Sequence, residues 1–336
     1  MPTVPVDEMK TPTQKLNPNA AQATVIIPTL NEEAYLGDCL SSLAAHSGSI
    51  IEEVIVVDAG STDNTKAIAE EHGVRFLPHP KSTIAAQRNA GAKLASTPLL
   101  AFLDADCTVT EEWSKSGTAE FDDESVVSAG APPDIPEMDN TWVQRTWCFI
   151  KRSPRGTRQR VTWIASANVW VRKSTFDEIG GFNEAFETCE DADLGYRLSE
   201  RGELVSNPEI RVQHHREPRT VSEFYRKEVW HGKNSFDGLW SGRLSLSELP
   251  SLITPIIFAL SAILFVAGLA VWPFYNVYPA MIGLAGLSLA PWAYTLRAIA
   301  SKGHPSRCLH ILVIYYIYFI ARSDAFLRWC GRSVFR

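Results

Sequence analysis

Two carboxylates one residue apart, Asp104 and Asp106, follow an apolar run over residues 97–103. A short apolar run is typical of a buried strand in a parallel sheet, and open α/β sheets bind ligands beyond the carboxyl ends of their strands. Mg²⁺ and Mn²⁺ prefer oxygen ligands, commonly one or two carboxylates together with substrate phosphates. The pair therefore indicates a site that holds a divalent cation against a diphosphate. A solvated turn is the alternative for the triplet taken alone.

The elements that must position these carboxylates alternate between strand and helix patterns. Strands are predicted over 24–28, 53–58, 74–77 and 99–103, with helices over 34–45 and 84–95 between them. This alternation is typical of an α/β fold with a parallel sheet and helices on both faces. A dinucleotide-binding Rossmann enzyme needs Gly-x-Gly-x-x-Gly after the first strand, whereas residues 28–32 (PTLNE) contain no glycine.

Five short motifs, taken in order, resemble those of the family 2 glycosyltransferases over roughly residues 24–235. They are VIIPTLNEE at 25–33, VVDAGSTDNT at 56–65, RNAG at 88–91, FLDAD at 102–106 and EDAD at 190–193. The resemblance implies an α/β domain of the Rossmann-like GT-A fold that binds a nucleotide sugar. It further implies an inverting sugar transfer, a UDP- or GDP-sugar as donor and Mg²⁺ or Mn²⁺ as cofactor.

The same resemblance assigns donor-binding roles to residues of these motifs. Asp104 is expected to face the ribose and Asp106 to bind the metal. Asp58 and Glu32 have simpler alternatives, a turn former for Asp58 and a solvated acid in the first turn of a helix for Glu32. The residues expected to bind the nucleotide sugar besides Asp104 are Pro28, Thr29, Glu32, Asp58 and Arg88.

The EDAD motif opens a predicted helix with three acids within four residues. An inverting transfer needs one base that removes the proton of the acceptor hydroxyl, and a carboxylate within hydrogen-bond reach can act as that base. The resemblance makes Asp191 the candidate base and Glu190 its neighbour at the acceptor or the donor sugar. Plain capping of the helix is the alternative.

A second polar segment, Gln213-His214-His215-Arg216, follows a strand-like run. Arg216 is expected to neutralise the diphosphate leaving group, and His214 is a candidate metal ligand with a structural histidine as the alternative. Processive members of the family carry Gln-x-x-Arg-Trp here. Because Glu217 replaces the tryptophan, the sequence favours addition of a single sugar.

The carboxyl-terminal quarter has the composition of a membrane region. Residues 252–272 and 277–296 carry no charge, and each stretch is long enough to cross the hydrocarbon core. Positive charges follow the second stretch, so the positive-inside rule places both flanks, and the catalytic domain, in the cytoplasm. Arg322 and Asp324 interrupt a third apolar run, and we therefore expect an interfacial helix over 308–329, with a third spanning helix as the competitor.

Composition divides the 336 residues into three parts: a disordered tail (1–22), a catalytic domain (23–240) and a membrane region (250–336). The net charge is −6, but the carboxyl end is basic, which suits anionic lipid rather than nucleic acid. Six cysteines without Cys-x-x-Cys spacing indicate neither a zinc site nor a disulfide framework. Residues 130–162, which contain two tryptophans and five arginines, are a candidate mobile lid or acceptor loop.

The sequence therefore predicts a multi-pass membrane glycosyltransferase whose acceptor is a lipid or a lipid-linked molecule. One alternative is a polyprenyl-phosphate hexose synthase, in which the acceptor phosphate is already a nucleophile and needs no base. The other is a membrane scaffold that binds nucleotide without catalysis.

Overall fold

The computed structural model describes residues 23–135, 141–151, 156–233, 249–274 and 276–334. The predicted tail over 1–22 and the boundary at residue 240 lie outside this part of the chain. The first half alternates strand and helix as its apolar runs require. Its elements are β1 (Ala23–Thr29), α1 (Leu36–His46), β2 (Ile51–Asp58), α2 (Thr65–Glu71), β3 (Arg75–Pro78), α3 (Ile84–Leu94), β4 (Leu99–Leu103), β5 (Cys107–Val109), α4 (Trp113–Ala119) and β6 (Val126–Gly130).

The second half adds shorter strands and longer helices. They are α5 (Trp142–Lys151), β7 (Gln159–Val161), β8 (Asn168–Arg172), α6 (Lys173–Glu178), α7 (Glu190–Ser199), β9 (Glu203–Ser206), β10 (Val212–His214), α8 (Val221–His231), α9 (Leu249–Val271), α10 (Tyr278–Lys302) and α11 (Cys308–Val334).

Within the described residues, the main sheet has the strand order β3-β2-β1-β4-β8-β6-β9-β7. The four strands predicted from the sequence pair in parallel, but β8 runs antiparallel to both β4 and β6. The parallel pairing predicted for these four strands is confirmed, and the sheet as a whole is mixed because β8 is reversed. β1, β4 and β8 are buried over their whole length, with apolar clusters against both faces of the sheet. Buried strands of this kind hold their carboxyl ends in fixed positions.

The glycine of the RNAG motif allows α3 to lie close to the sheet. A Cβ atom on Gly91 would lie 2.6 Å from Ile26 Cγ2 in β1 and 3.2 Å from Val57 Cγ2 in β2. We expect Gly91→Ala to destabilise the protein by about 1 to 3 kcal/mol, because the added methyl group forces these strands and the helix apart. Thermal denaturation measures the loss. Lys93→Ala, on the exposed side of the same helix, is the control, and equal melting temperatures for the two variants would contradict the packing argument.

Two helices of the described chain are long and apolar enough to cross a membrane, Leu249–Val271 and the segment Pro305–Gly331 that contains most of α11. The uncharged stretch 277–296 lies within α10, which is not one of these two. The expected interfacial helix over 308–329 is part of α11, a continuous helix of 27 residues, and its length and composition favour the competing prediction of a spanning helix. Its interrupting charges have partners on α8, since Arg322 pairs with Glu228 and Asp324 accepts a hydrogen bond from Tyr225 Oη.

Candidate active site

A cleft of about 1710 Å³ lies at the carboxyl ends of β1 and β4 and extends to α5 and α8. Seven of the residues singled out from the sequence line it: Pro28, Glu32, Asp104, Asp106, Asp191, His214 and Arg216. The other four, Thr29, Asp58, Arg88 and Glu190, are buried close to this lining. The fold therefore brings together motifs that are up to 188 residues apart, from Pro28 to Arg216, as the topology of an open α/β sheet requires.

Arg88 joins the FLDAD and EDAD motifs. Its side chain is 1% exposed and donates one hydrogen bond of 2.8 Å to Asp104 Oδ1 and another of 2.8 Å to Glu190 Oε1. Burial alone would lower the pKa of this guanidinium, but the two carboxylates outweigh that effect and raise it. Arg88 is therefore a fixed cation that holds Asp104 and Glu190 in place. Its expected contact with the nucleotide sugar stays a prediction.

Asp191 and Glu190 occupy the first turn of α7, directly after Cys189, whose backbone is left-handed at φ 65°. Glu190 also accepts a hydrogen bond from Ser166 Oγ, so its Oε1 atom is engaged inside the protein. Asp191 instead faces the cleft, and its carboxylate accepts a hydrogen bond from the backbone of Ala192. Burial and the charge of Glu190 raise the pKa of Asp191 to about 6. A carboxylate with a raised pKa at a cleft wall suits general-base chemistry near neutral pH.

Asp106 and His214 face each other across the cleft floor, with 3.4 Å between Asp106 Oδ2 and His214 Nε2. Burial raises the pKa of Asp106, while the neighbouring His214 opposes the shift. On the far side of the imidazole, Glu217 Oε1 lies 3.3 Å from His214 Nδ1. Burial acts to raise the pKa of Glu217, but the interaction with His214 and the charge of Lys227 lower it to about 2. Glu217, which occupies the tryptophan position of processive enzymes, thus orients His214.

These two side chains suit a divalent cation. A carboxylate oxygen and an imidazole nitrogen are ligand types that Mn²⁺ accepts, and neighbouring ligands of an octahedral ion lie about 3 Å apart, close to the separation found here. In the described part of the chain, no group of three or more His, Cys, Asp or Glu side chains forms a metal site. The protein would therefore supply two ligands, and substrate phosphate oxygens and water would supply the others.

Glu32 pairs with Arg216 across the cleft, with 2.5 Å between Glu32 Oε1 and Arg216 Nη1. Its second oxygen, Oε2, is buried and has no hydrogen-bond partner among the described residues. Burial raises the pKa of Glu32 to about 7, although Arg216 opposes the shift. Buried polar atoms are normally paired, so an unpaired oxygen at the cleft wall is a candidate contact for a bound ligand.

Asp58 organises the turn after β2. Its carboxylate accepts hydrogen bonds from the backbone N–H groups of Gly60 and Ser61, from Ser61 Oγ, and from Thr29 Oγ1 at 3.0 Å. The structure thus supports the turn-forming interpretation of Asp58, and a contact of Asp58 or Thr29 with the nucleotide stays a prediction.

Sequence reasoning did not single out several residues that line the cleft. Trp163 is 44% exposed. It packs closely on Gly195 of α7, since a Cβ atom added to Gly195 would lie 2.7 Å from Trp163 Cα. Lys151 and Arg226 line the end formed by α5 and α8. No motif marks them, because their position depends on how these helices pack.

A Rossmann-like mixed sheet with a polar cleft at its carboxyl edge defines the GT-A class of nucleotide-sugar-binding folds. The model of the family "Glycosyl transferase family 2" matches residues 24–180. An uncharacterized glycosyltransferase of Mycobacterium bovis is 30% identical over 156 residues, which cover 46% of this chain and 69% of that protein. The chain belongs to glycosyltransferase family 2.

Another relative matches a longer part of this chain, but the match covers only about half of that relative. A pre-mycofactocin glycosyltransferase of Mycobacterium tuberculosis is 28% identical over 227 residues, or 64% of this chain and 47% of that protein, so the match spans about half its length. Among solved structures, a mannosyltransferase from Pyrobaculum calidifontis in complex with GDP-Man and Mn²⁺ superposes with a TM-score of 0.58 at 14% identity. That likeness covers 95% of this chain and 90% of the other, and it shows the shared fold.

Proposed function

We propose that this glycosyltransferase transfers one sugar, with inversion, from a UDP- or GDP-sugar to a lipid or lipid-linked acceptor at the cytoplasmic face of a membrane. The observation that carries the proposal is the composition of a single cleft. It is lined by Asp104 and Asp106 at the strand ends, by Asp191 at the start of α7, and by residues of α5 and α8. Those two helices pack against α11, one of the candidate spanning helices.

The donor binds, in this proposal, with its diphosphate beside Asp106 and His214, and a divalent cation held there would offset the phosphate charge. Asp104 faces the ribose, and Glu32 contributes its unpaired oxygen to the donor. Arg216, paired with Glu32 and 53% exposed, can turn toward the diphosphate as negative charge develops on it. The mannosyltransferase structure with GDP-Man and Mn²⁺ supports a nucleotide sugar and a divalent cation in a fold of this type.

The acceptor attacks from the Asp191 side. Asp191 takes the proton of the acceptor hydroxyl as its oxygen forms a bond to the anomeric carbon, and the bond from that carbon to the nucleoside diphosphate breaks on the opposite face. Glu190 suits this role less well, because it is buried and its Oε1 accepts hydrogen bonds from Arg88 and Ser166. Its charge instead keeps Asp191 more basic than an isolated carboxylate.

Nucleotide binding tests the donor half of the proposal. We expect one of UDP, GDP, CDP or TDP to raise the melting temperature of the detergent-purified protein when Mn²⁺ is present, and Asp106→Asn to abolish this shift because the carboxylate next to His214 loses its charge. Differential scanning fluorimetry measures it. The control is Asp122→Asn, an exposed carboxylate outside the cleft. If no nucleotide shifts the wild-type protein, the donor half of the proposal is wrong.

The pH dependence of turnover tests the base. Because Asp191 must be ionised to accept a proton and its pKa is about 6, kcat/KM should rise with pH through about 6 and fall about tenfold per unit below it. The measurement is a rate profile from about pH 5 to about pH 8 at saturating Mn²⁺. Donor affinity measured over the same range separates loss of binding from loss of the base. A flat profile below neutrality, with donor binding intact, would remove Asp191 from the base role.

A further inference from the structure

The end of the cleft farthest from the strand termini is rich in cations. Lys151 on α5 and Arg226 and Lys227 on α8 line it, together with the exposed ring of Trp230. The opposite end carries the acids of the donor site, including Asp104 and Asp106. The cleft therefore has an acidic end, which suits a diphosphate with a bound cation. At its basic end, the side chains themselves can attract an anion.

Two of these cations form no ion pair among the described residues, although the carboxylates of Glu217 and Glu223 also line the cleft. Lys227 Nζ lies 3.7 Å from Glu217 Oε2, and Glu228 is paired with Arg322. Lys151 and Arg226 are exposed and form no ion pair with any carboxylate in the described part of the chain. Lys151 Nζ instead lies 5.2 Å from the centre of the Trp147 ring, which holds it at the end of α5.

This basic end lies beside the candidate membrane helix. Val143 and Trp147 of α5 and Phe224 of α8 form a buried cluster with Ile314 of α11. Lys302 at the end of α10 donates to the backbone oxygens of Phe149 and Ile150, which are in the last turn of α5. α5, which carries Lys151, therefore contacts both α10 and α11, and α8, which carries Arg226, contacts α11.

Building on the proposed function, in which the acceptor is a hydroxyl group, we propose that Lys151 and Arg226 bind the phosphate of the acceptor, which is a lipid-diphosphate-linked sugar rather than an uncharged glycerolipid. A guanidinium matches phosphate with two parallel hydrogen bonds, and an ammonium adds a compact charge. A phosphate there would lie where α5 and α8 meet the helical region, and its lipid chain would follow α11 toward the bilayer. A neutral acceptor would leave both cations without a counterion.

Binding of short-chain probes to the full-length protein in an uncharged detergent tests this site. The probes are farnesyl phosphate, farnesol and inorganic phosphate, measured by microscale thermophoresis. We expect farnesyl phosphate to bind to the wild-type protein at least about tenfold more tightly than either other probe. In the double variant Lys151→Ala/Arg226→Ala, the affinity for farnesyl phosphate should fall at least about tenfold, because hydrogen bonds between charged groups are lost. Lys151→Arg/Arg226→Lys, which keeps both charges, should retain most of it.

The controls separate this site from the donor site. Lys115→Ala/Arg201→Ala removes two exposed cations outside the cleft and should leave farnesyl phosphate binding unchanged. Equal affinity for farnesyl phosphate and farnesol would overturn the phosphate site, and equal affinity for inorganic phosphate would overturn its lipid character. A parallel loss of the nucleotide shift in the double variant would assign these cations to the donor instead. Absence of any nucleotide shift in the wild type is the separate failure of the proposed function.

Discussion

Asp191→Asn is expected to lower kcat by about 10² to 10⁴, the usual contribution of a positioned general base, while the affinity for the donor nucleotide stays within about twofold. The amide has nearly the shape of the carboxylate but cannot accept the proton of a hydroxyl acceptor. Asp191 does not hold the structure of α7 by ion pairs, since its carboxylate accepts from the adjacent Ala192 backbone. The measurements are steady-state kinetics with the donor identified by thermal shift, and nucleotide titration of the same preparation.

The matched control is Asp177→Asn, which changes an exposed carboxylate of α6 that pairs with Lys173. It should leave kcat unchanged. Nearly full activity of Asp191→Asn would favour the polyprenyl-phosphate hexose synthase, because a phosphate acceptor is already a nucleophile. An equal loss of donor affinity and turnover would instead place Asp191 in the donor site. The result therefore distinguishes the two enzyme alternatives that share this cleft.

The sequence located the donor edge of the fold because its signals are local. Each apolar run ended in a polar residue, so β1, β2 and β4 were predicted within two residues of their observed bounds, and Asp104 and Asp106 were placed at a strand end. The direction of β8 could not be predicted from the sequence in the same way. Five buried residues in a row look alike in parallel and antiparallel strands, and only the pairing with β4 shows the reversal.

The helical region shows a second limit. Arg322 and Asp324 suggested that the apolar run ends before them, because unpaired charges are costly in a membrane. In the structure both side chains contact α8: Arg322 pairs with Glu228, and Asp324 accepts a hydrogen bond from Tyr225 Oη. The helix continues past them. Their partners are about 95 residues away in sequence, so no local pattern could reveal them. The same holds for Lys151 and Arg226, whose shared cleft depends on how α5 and α8 pack.

Arg88 is the clearest case of a role that only the tertiary structure shows, and its removal should have the largest effect on stability. The RNAG motif suggested a donor contact, whereas the guanidinium is buried between Asp104 and Glu190. Arg88→Met removes the cation and leaves Asp104 and Glu190 without an ion-pair partner, and the buried Glu190 then keeps only its hydrogen bond from Ser166 Oγ. Breaking a buried ion pair in this way costs about 3 to 5 kcal/mol. For a domain of this size the melting temperature should fall by about 10 °C.

Two further variants test whether the loss of stability in Arg88→Met comes from the buried charges. Arg201→Met breaks the surface pair with Glu178, where about 1 kcal/mol or less is expected. If the cost of Arg88→Met comes from the stranded charges, adding Glu190→Gln to it should recover part of the lost stability, because one of the two carboxylates is then neutral. Strictly additive losses in the two single variants and the double variant would show that the charges of Arg88 and Glu190 are not coupled.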